Sequence, residues 1–111
     1  MVYAPERGDI FLLNLSPQAG SEMAGEHRVL VLSERNFNVG TGCFIACPIT
    51  TKIKGSPFEV VIPLGLKTRG CVLASEVRTM DYIARNAKFI EKAPATLIDN
   101  VTALISTIIG L

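Results

Sequence analysis

The sequence predicts a mainly β (α+β) fold, a small antiparallel barrel carrying a C-terminal α-helix. Three observations lead there. Short apolar runs rich in Val, Ile, Leu and Phe recur at close spacing from Ile10 to Met80, separated by Gly, Pro and polar turn signals. That pattern fits antiparallel strands better than an α/β sheet. The apolar period then changes from strand-like to helical in the last fifteen or so residues.

Taken in order, Asp9-Ile10-Phe11-Leu12-Leu13-Asn14-Leu15 reads as a strand buried on much of both faces, stopped by Ser16-Pro17-Gln18-Ala19-Gly20. A polar loop from Gly20 leads to a second strand that Arg28 opens and that runs through Leu32. Ser33 to Asn38 suits a short helical turn, and Gly40-Thr41-Gly42 a tight turn. Cys43 to Cys47 is the third strand, expected to end at Pro48. A basic loop, Lys52 to Pro57, precedes a fourth strand, Phe58 to Ile62. Pro63-Leu64-Gly65 turns the chain, Lys67 to Gly70 is basic, and Cys71 to Ala74 is a fifth strand. Val77 to Asp81 continues it or forms a sixth. In the tail, Leu97, Val101, Leu104, Ile105 and Ile108 fall on one helical face, with Pro94 at the first turn and Gly110 at the stop.

The totals narrow the function classes. At 111 residues, 49% hydrophobic and 19% charged, the chain is expected to form one folded domain, residues 1–111. No apolar run reaches the ~18 residues of a membrane span, and residues 1–9 do not resemble a secretory signal. A cytoplasmic location is the resulting expectation. Cys43, Cys47 and Cys71 are too few and odd in number for a disulfide framework, and they lack metal-site spacing; they read as small core hydrophobes. The net charge of +1 hides an asymmetry. Residues 50–92 hold eight Lys/Arg against four acids, whereas residues 1–49 hold three against five. A basic middle suits an acidic ligand such as RNA, or an acidic partner peptide.

The loop before the second strand concentrates chemistry. Glu22, His27 and Arg28 supply a base, a hydrogen-bonding ring and a permanent cation. Metal-free RNA cleavage needs a 2′-hydroxyl deprotonated and in line with the leaving 5′-oxygen. It also needs neutralised phosphoryl oxygens and a protonated leaving group. Two-histidine catalysis is excluded, since His27 is the only histidine, and no carboxylate cluster is spaced for magnesium. Glu22 or His27 remains as base, Arg28 as cation, and Thr50 as the hydroxyl that orients phosphate. Lys52 and Lys54 are placed to track a backbone, and Phe58 to stack on a base, unless it belongs to the core.

These residues fall within a wider resemblance. Arg7-Gly8-Asp9-Ile10, Ser16-Pro17, Gly20-Ser21-Glu22, His27-Arg28, Val31-Leu32-Ser33, Pro48-Ile49-Thr50, Lys54 to Val60, and Val77 to Asp81 with Ala84-Arg85 resemble the MazF/PemK toxins in order and spacing. The resemblance implies an SH3-like barrel of the CcdB/MazF type and a homodimer. It implies a metal-independent, cofactor-free endoribonuclease that cuts single-stranded mRNA at a short sequence, leaving 2′,3′-cyclic phosphate and 5′-hydroxyl ends. It further implies an antitoxin with an acidic, disordered C-terminal tail, and DNA binding together with that antitoxin. Carried over by position, Glu22, Arg28 and Thr50 are catalytic, with His27 in acid duty or RNA contact. Ser21, Thr51, Phe58, Glu76 and Arg78 are candidate base readers.

Three departures from the family pattern stand out. Val29 stands where proline is usual, Glu26 is an extra residue between Gly25 and His27, and Leu73 and Ser75 replace an arginine and an aspartate used by the PemK branch. Two alternatives remain open at this level. One is a non-enzymatic gyrase-binding poison of the CcdB kind, suggested by the apolar end Ile108-Ile109-Gly110-Leu111. The other is a catalytically degenerate relative.

Overall fold

In the computed structural model, which describes residues 3–16 and 24–111, β1 (Asp9–Asn14), β2 (Glu26–Val31) and β3 (Cys43–Thr50) form the centre of an antiparallel sheet. Their side chains alternate between two separate apolar clusters. Ile10, Leu30, Cys47 and Ile49 face one; Phe11, Leu13, Val29, Val31, Phe44 and Ala46 face the other. Burial on both faces is why these runs read as nearly continuous apolar stretches rather than clean alternation.

The sheet extends through β4 (Glu59–Val61), β5 (Cys71–Leu73), β6 (Arg78–Asp81) and β7 (Lys88–Lys92). The strand order is β4-β5-β3-β2-β1-β7, every pair is antiparallel, and β6 pairs with β3 off this path. Sheet and C-terminal helix are as expected, but β4 and β7 do not pair with each other, so the sheet is unclosed rather than a complete barrel. α2 (Ala95–Ile109) covers the first cluster with Leu97 and Val101, starts just after Pro94 and stops at Gly110, as the sequence predicts. Among the described residues no helix is long and apolar enough to cross a membrane.

Several boundaries differ from expectation, each for a physical reason. β3 runs through Pro48 to Thr50 instead of stopping. Pro48 stands between the last pair with β6, Ala46↔Arg78, and the first pair with β5, Ile49↔Val72. At that change of partner a missing N–H leaves no ladder bond unmade. β2 starts at Glu26, two residues before the Arg28 at which the strand is expected to open, so His27 is a strand residue opposite Leu13, and Arg28 lies opposite Leu12. α1 (Arg35–Thr41) replaces the short turn at residues 33–38 and absorbs Gly40 and Thr41. Buried Asn38 holds it by donating to the Pro5 and Ser33 carbonyls, and Gly42, at φ 71°, ends it in the left-handed conformation.

β7 was not anticipated. Its charged ends and single Phe89-Ile90 core pair give little strand signal. It forms because β1 needs a second neighbour, and a charge cluster fixes its end. Asp9, 0% exposed, accepts from the Glu6 N–H and from Lys92 Nζ at 2.9 Å. The bond to Asp9, reinforced by the Tyr3 hydroxyl, raises the Lys92 ammonium above the usual lysine range.

Candidate active site

Arg28 lies two residues before Leu30 on β2 and therefore points to the same face, one step beyond the core that α2 covers. There the sheet opens into a groove of about 1040 Å³. β1 and β2 supply Leu12, His27 and Arg28 to its wall, and the end of β3 supplies Ile49 and Thr50. Opposite them stand Lys67, Thr68 and Arg69 from the connection between β4 and β5.

Thr50 is the last residue of β3, as expected, and its hydroxyl oxygen accepts from the Lys52 N–H at 3.1 Å. The hydroxyl hydrogen is left to donate elsewhere. The facing connection is brought close by Gly70, at φ +108°. A Cβ there would run into the Thr50 carbonyl oxygen and lie 2.8 Å from its carbon, so only glycine lets the two segments meet. His27 Nδ1–H donates to the Ile49 carbonyl at 3.3 Å, which leaves Nε2 as the ring's second functional nitrogen.

Arg28 is held by a chain of hydrogen bonds. Its Nη1 donates to Thr68 Oγ1 at 2.8 Å, and the Thr68 hydroxyl donates to Glu91 Oε2 at 2.6 Å. Glu91 also accepts the N–H groups of Thr68 (2.7 Å) and Lys67 (3.0 Å). Burial opposes ionisation of Glu91. The Thr68 hydroxyl, the two backbone N–H groups and the Arg28 charge outweigh it, holding the carboxyl below the usual glutamate range.

Arg28, Lys52, Lys54, Lys67 and Arg69 give the groove five cations against Glu26, Glu59 and Glu76. The Glu59 carboxylate is engaged by the Lys54 and Gly55 N–H groups. The excess of positive charge suits a polyanion.

Of the residues singled out by sequence, Arg28, Thr50, His27, Thr51, Lys52, Lys54 and Glu76 share this groove. Glu22 and Ser21 lie outside the described residues. Phe58 and Arg78, expected as base readers, are not on the groove wall. Arg78 sits on β6 opposite Ala46, whereas the groove forms at the other end of β3. Phe58 precedes β4 instead of opening it and is 45% exposed, so it is not a core residue either. Thr68 and Glu91 were missed because a threonine in a basic loop and a glutamate between Ile90 and Lys92 carry no local signal. Only the β1–β7 pairing, Ile10↔Glu91, brings them near Arg28. Among the described residues no three His, Cys, Asp or Glu side chains come together as a metal site. Burial pushes the Cys47 thiol up to about 12 and raises that of Cys71, in keeping with core roles.

Comparison with known proteins agrees with this geometry. The family model described as PemK-like, MazF-like toxin of type II toxin-antitoxin system matches residues 6–109. The chain belongs to that family. It is 35% identical over 108 residues to the endoribonuclease toxin MazF of Escherichia coli K12, covering 97% of this chain and 96% of the relative. The solved structure of MazF from Deinococcus radiodurans superposes with a TM-score of 0.96 at 39% identity, over 99% of this chain and all of that one. MazF from a MazE–MazF complex of the same organism superposes at 0.90 and 39% identity, over 99% of each chain.

The positions at which the chain departs from the PemK/MazF pattern have clear places in the fold. Val29 is fully buried between Phe11 and Pro48, filling the core. Glu26 becomes the first residue of β2, opposite Asn14, at the groove. Leu73 lines the groove, and Ser75 is exposed in a single 3₁₀ turn (Ala74–Glu76).

Proposed function

We propose that this chain is an endoribonuclease toxin that cuts single-stranded RNA in the Arg28–Thr50 groove, without a metal or other cofactor. The observation that carries the reading is the meeting of Arg28 and Thr50, from two different strands, on one basic groove, in a chain whose relatives are named endoribonucleases. The 2′-oxygen bonds to phosphorus as Glu22 takes its proton. The bond to the 5′-oxygen breaks, and that oxygen takes a proton from His27 in its imidazolium form. The products are a 2′,3′-cyclic phosphate and a 5′-hydroxyl. Arg28 neutralises charge on the phosphoryl oxygens; a guanidinium holds its proton too firmly to serve as the acid. Thr50 donates its free hydroxyl hydrogen to one of those oxygens. Lys52 and Lys54 follow the RNA backbone, and Ser21, Thr51 and Glu76 meet bases.

The same basic groove is where the acidic tail of a cognate antitoxin would lie, and the solved MazE–MazF complexes support such a partner. A second copy of the chain covers the apolar end of α2, where Ile108 and Ile109 are exposed. Cleavage of mRNA in the cytoplasm would stop translation and growth.

The test is incubation of the purified chain with mixed single-stranded RNA in EDTA, followed by end-group analysis. Cuts at a recurring short sequence with cyclic-phosphate ends are expected. Intact RNA would overturn the reading, and stalled gyrase alongside it would favour the non-enzymatic one.

A further inference from the structure

The chain of hydrogen bonds behind Arg28 does more than hold a loop. An arginine that must grip a phosphate is usually compromised by a direct carboxylate pair, which occupies its donors and cancels its charge. Here a hydroxyl stands between the two. Thr68, 2% exposed, has one hydroxyl hydrogen, and it is committed to Glu91 at 2.6 Å. Its lone pairs must then face Arg28, which donates to them at 2.8 Å. Among the described residues Arg28 forms no ion pair, and Thr68 is its one side-chain hydrogen-bond partner. Among the described residues the other four of the five guanidinium N–H donors have no hydrogen-bond partner.

Glu91 is itself rigid. It sits on β7 in register with Ile10, and both its oxygens accept backbone N–H groups of Lys67 and Thr68. Both groups therefore have the geometry of supports that lock a rotamer rather than of groups that touch substrate.

We propose that Thr68 and Glu91 are positioning residues that fix the Arg28 guanidinium toward the scissile phosphate without a direct carboxylate pair occupying its donors. The proposal rests on the reading of Arg28 as the residue that binds the reacting phosphate.

The test compares wild type, Thr68→Val, Thr68→Ser and Arg28→Ala, each checked for an unchanged melting transition. Single-turnover cleavage of one RNA oligonucleotide gives rate and half-saturation separately. Binding of its 2′-deoxy analogue, which cannot be cut, is also measured. Thr68→Val is expected to lower the cleavage rate by about a hundredfold with little change in half-saturation. Thr68→Ser, which keeps the hydroxyl, should restore most of the rate. In the Arg28→Ala background, Thr68→Val should lower the residual cleavage rate no further, because the residue it positions is gone.

Wild-type rates in a well-folded Thr68→Val protein would overturn the relay while leaving the nuclease reading intact. So would equal losses in both backgrounds. Should Thr68→Val unfold, Thr68→Ser and Glu91→Gln carry the same comparison, and wild-type rates in Glu91→Gln would sink the relay. Failure of wild type itself to cleave would instead remove the reading on which the proposal stands.

Discussion

At the scale of single residues, the site depends on how few groups carry charge where it is needed. Arg28 presents a cation to the groove because its partner is a hydroxyl, and Thr50 keeps a donor because its oxygen already accepts the Lys52 N–H. Glu91 underwrites the first of these, and its ionisation has a measurable signature. Its folded carboxyl lies below the ordinary value of 4.5, so its stabilising effect is complete above that pH and is lost as pH falls through the lower folded value. Glu91→Gln should therefore melt below wild type by a constant margin well above pH 4.5, and the margin should shrink as the pH falls below that value. Thermal denaturation monitored by circular dichroism across that range checks it; a margin that grows in acid would contradict the assignment. Residue-level chemistry was legible in part. Arg28, Thr50 and His27 were found by asking which groups metal-free phosphodiester chemistry requires. Thr68 and Glu91 were not, because their hydrogen-bonded contact with Arg28 joins separate segments and leaves no mark on either one.

At the scale of elements, strands buried on both faces announced themselves, as did the helix with its three- and four-residue period. β3 was cut short at Pro48 because proline within a strand reads as a stop unless the partner strand on that edge is known to change there. β7 was invisible for the opposite reason, since its pairing with β1 is set by the Asp9–Lys92 contact and not by its own composition. The basic connection from residue 63 to residue 70 reads as an ordinary solvated loop in sequence, yet its last glycine sets the spacing of the groove. Gly70→Ala combines a left-handed φ with a collision against the Thr50 carbonyl. It is expected to cost more than about 1–2 kcal/mol of folding stability, measured by urea denaturation, and to lower cleavage further than stability alone explains. An alanine variant as stable and active as wild type would show that the two segments need not approach so closely.

At the scale of the whole molecule, the sheet separates two tasks. One cluster, between the sheet and α2, ends where Leu12, Arg28 and Ile49 reach the groove; the other, on the opposite face, anchors β1, β2 and β3 from behind. The functional groups thus stand on strands that are packed on both sides, which suits a site whose geometry must hold to a fraction of an ångström. The charge asymmetry seen in the sequence becomes spatial here, because Lys52, Lys54, Lys67 and Arg69 all line one groove although they come from two separate connections.

The proposal that the Arg28 guanidinium drives breakage of an RNA backbone is tested most directly by Arg28→Ala, assayed on RNA in EDTA with folding verified by circular dichroism. The cleavage rate is expected to fall by at least about a hundredfold, with the melting transition preserved. A well-folded Arg28→Ala protein that cuts RNA at the wild-type rate would contradict the account.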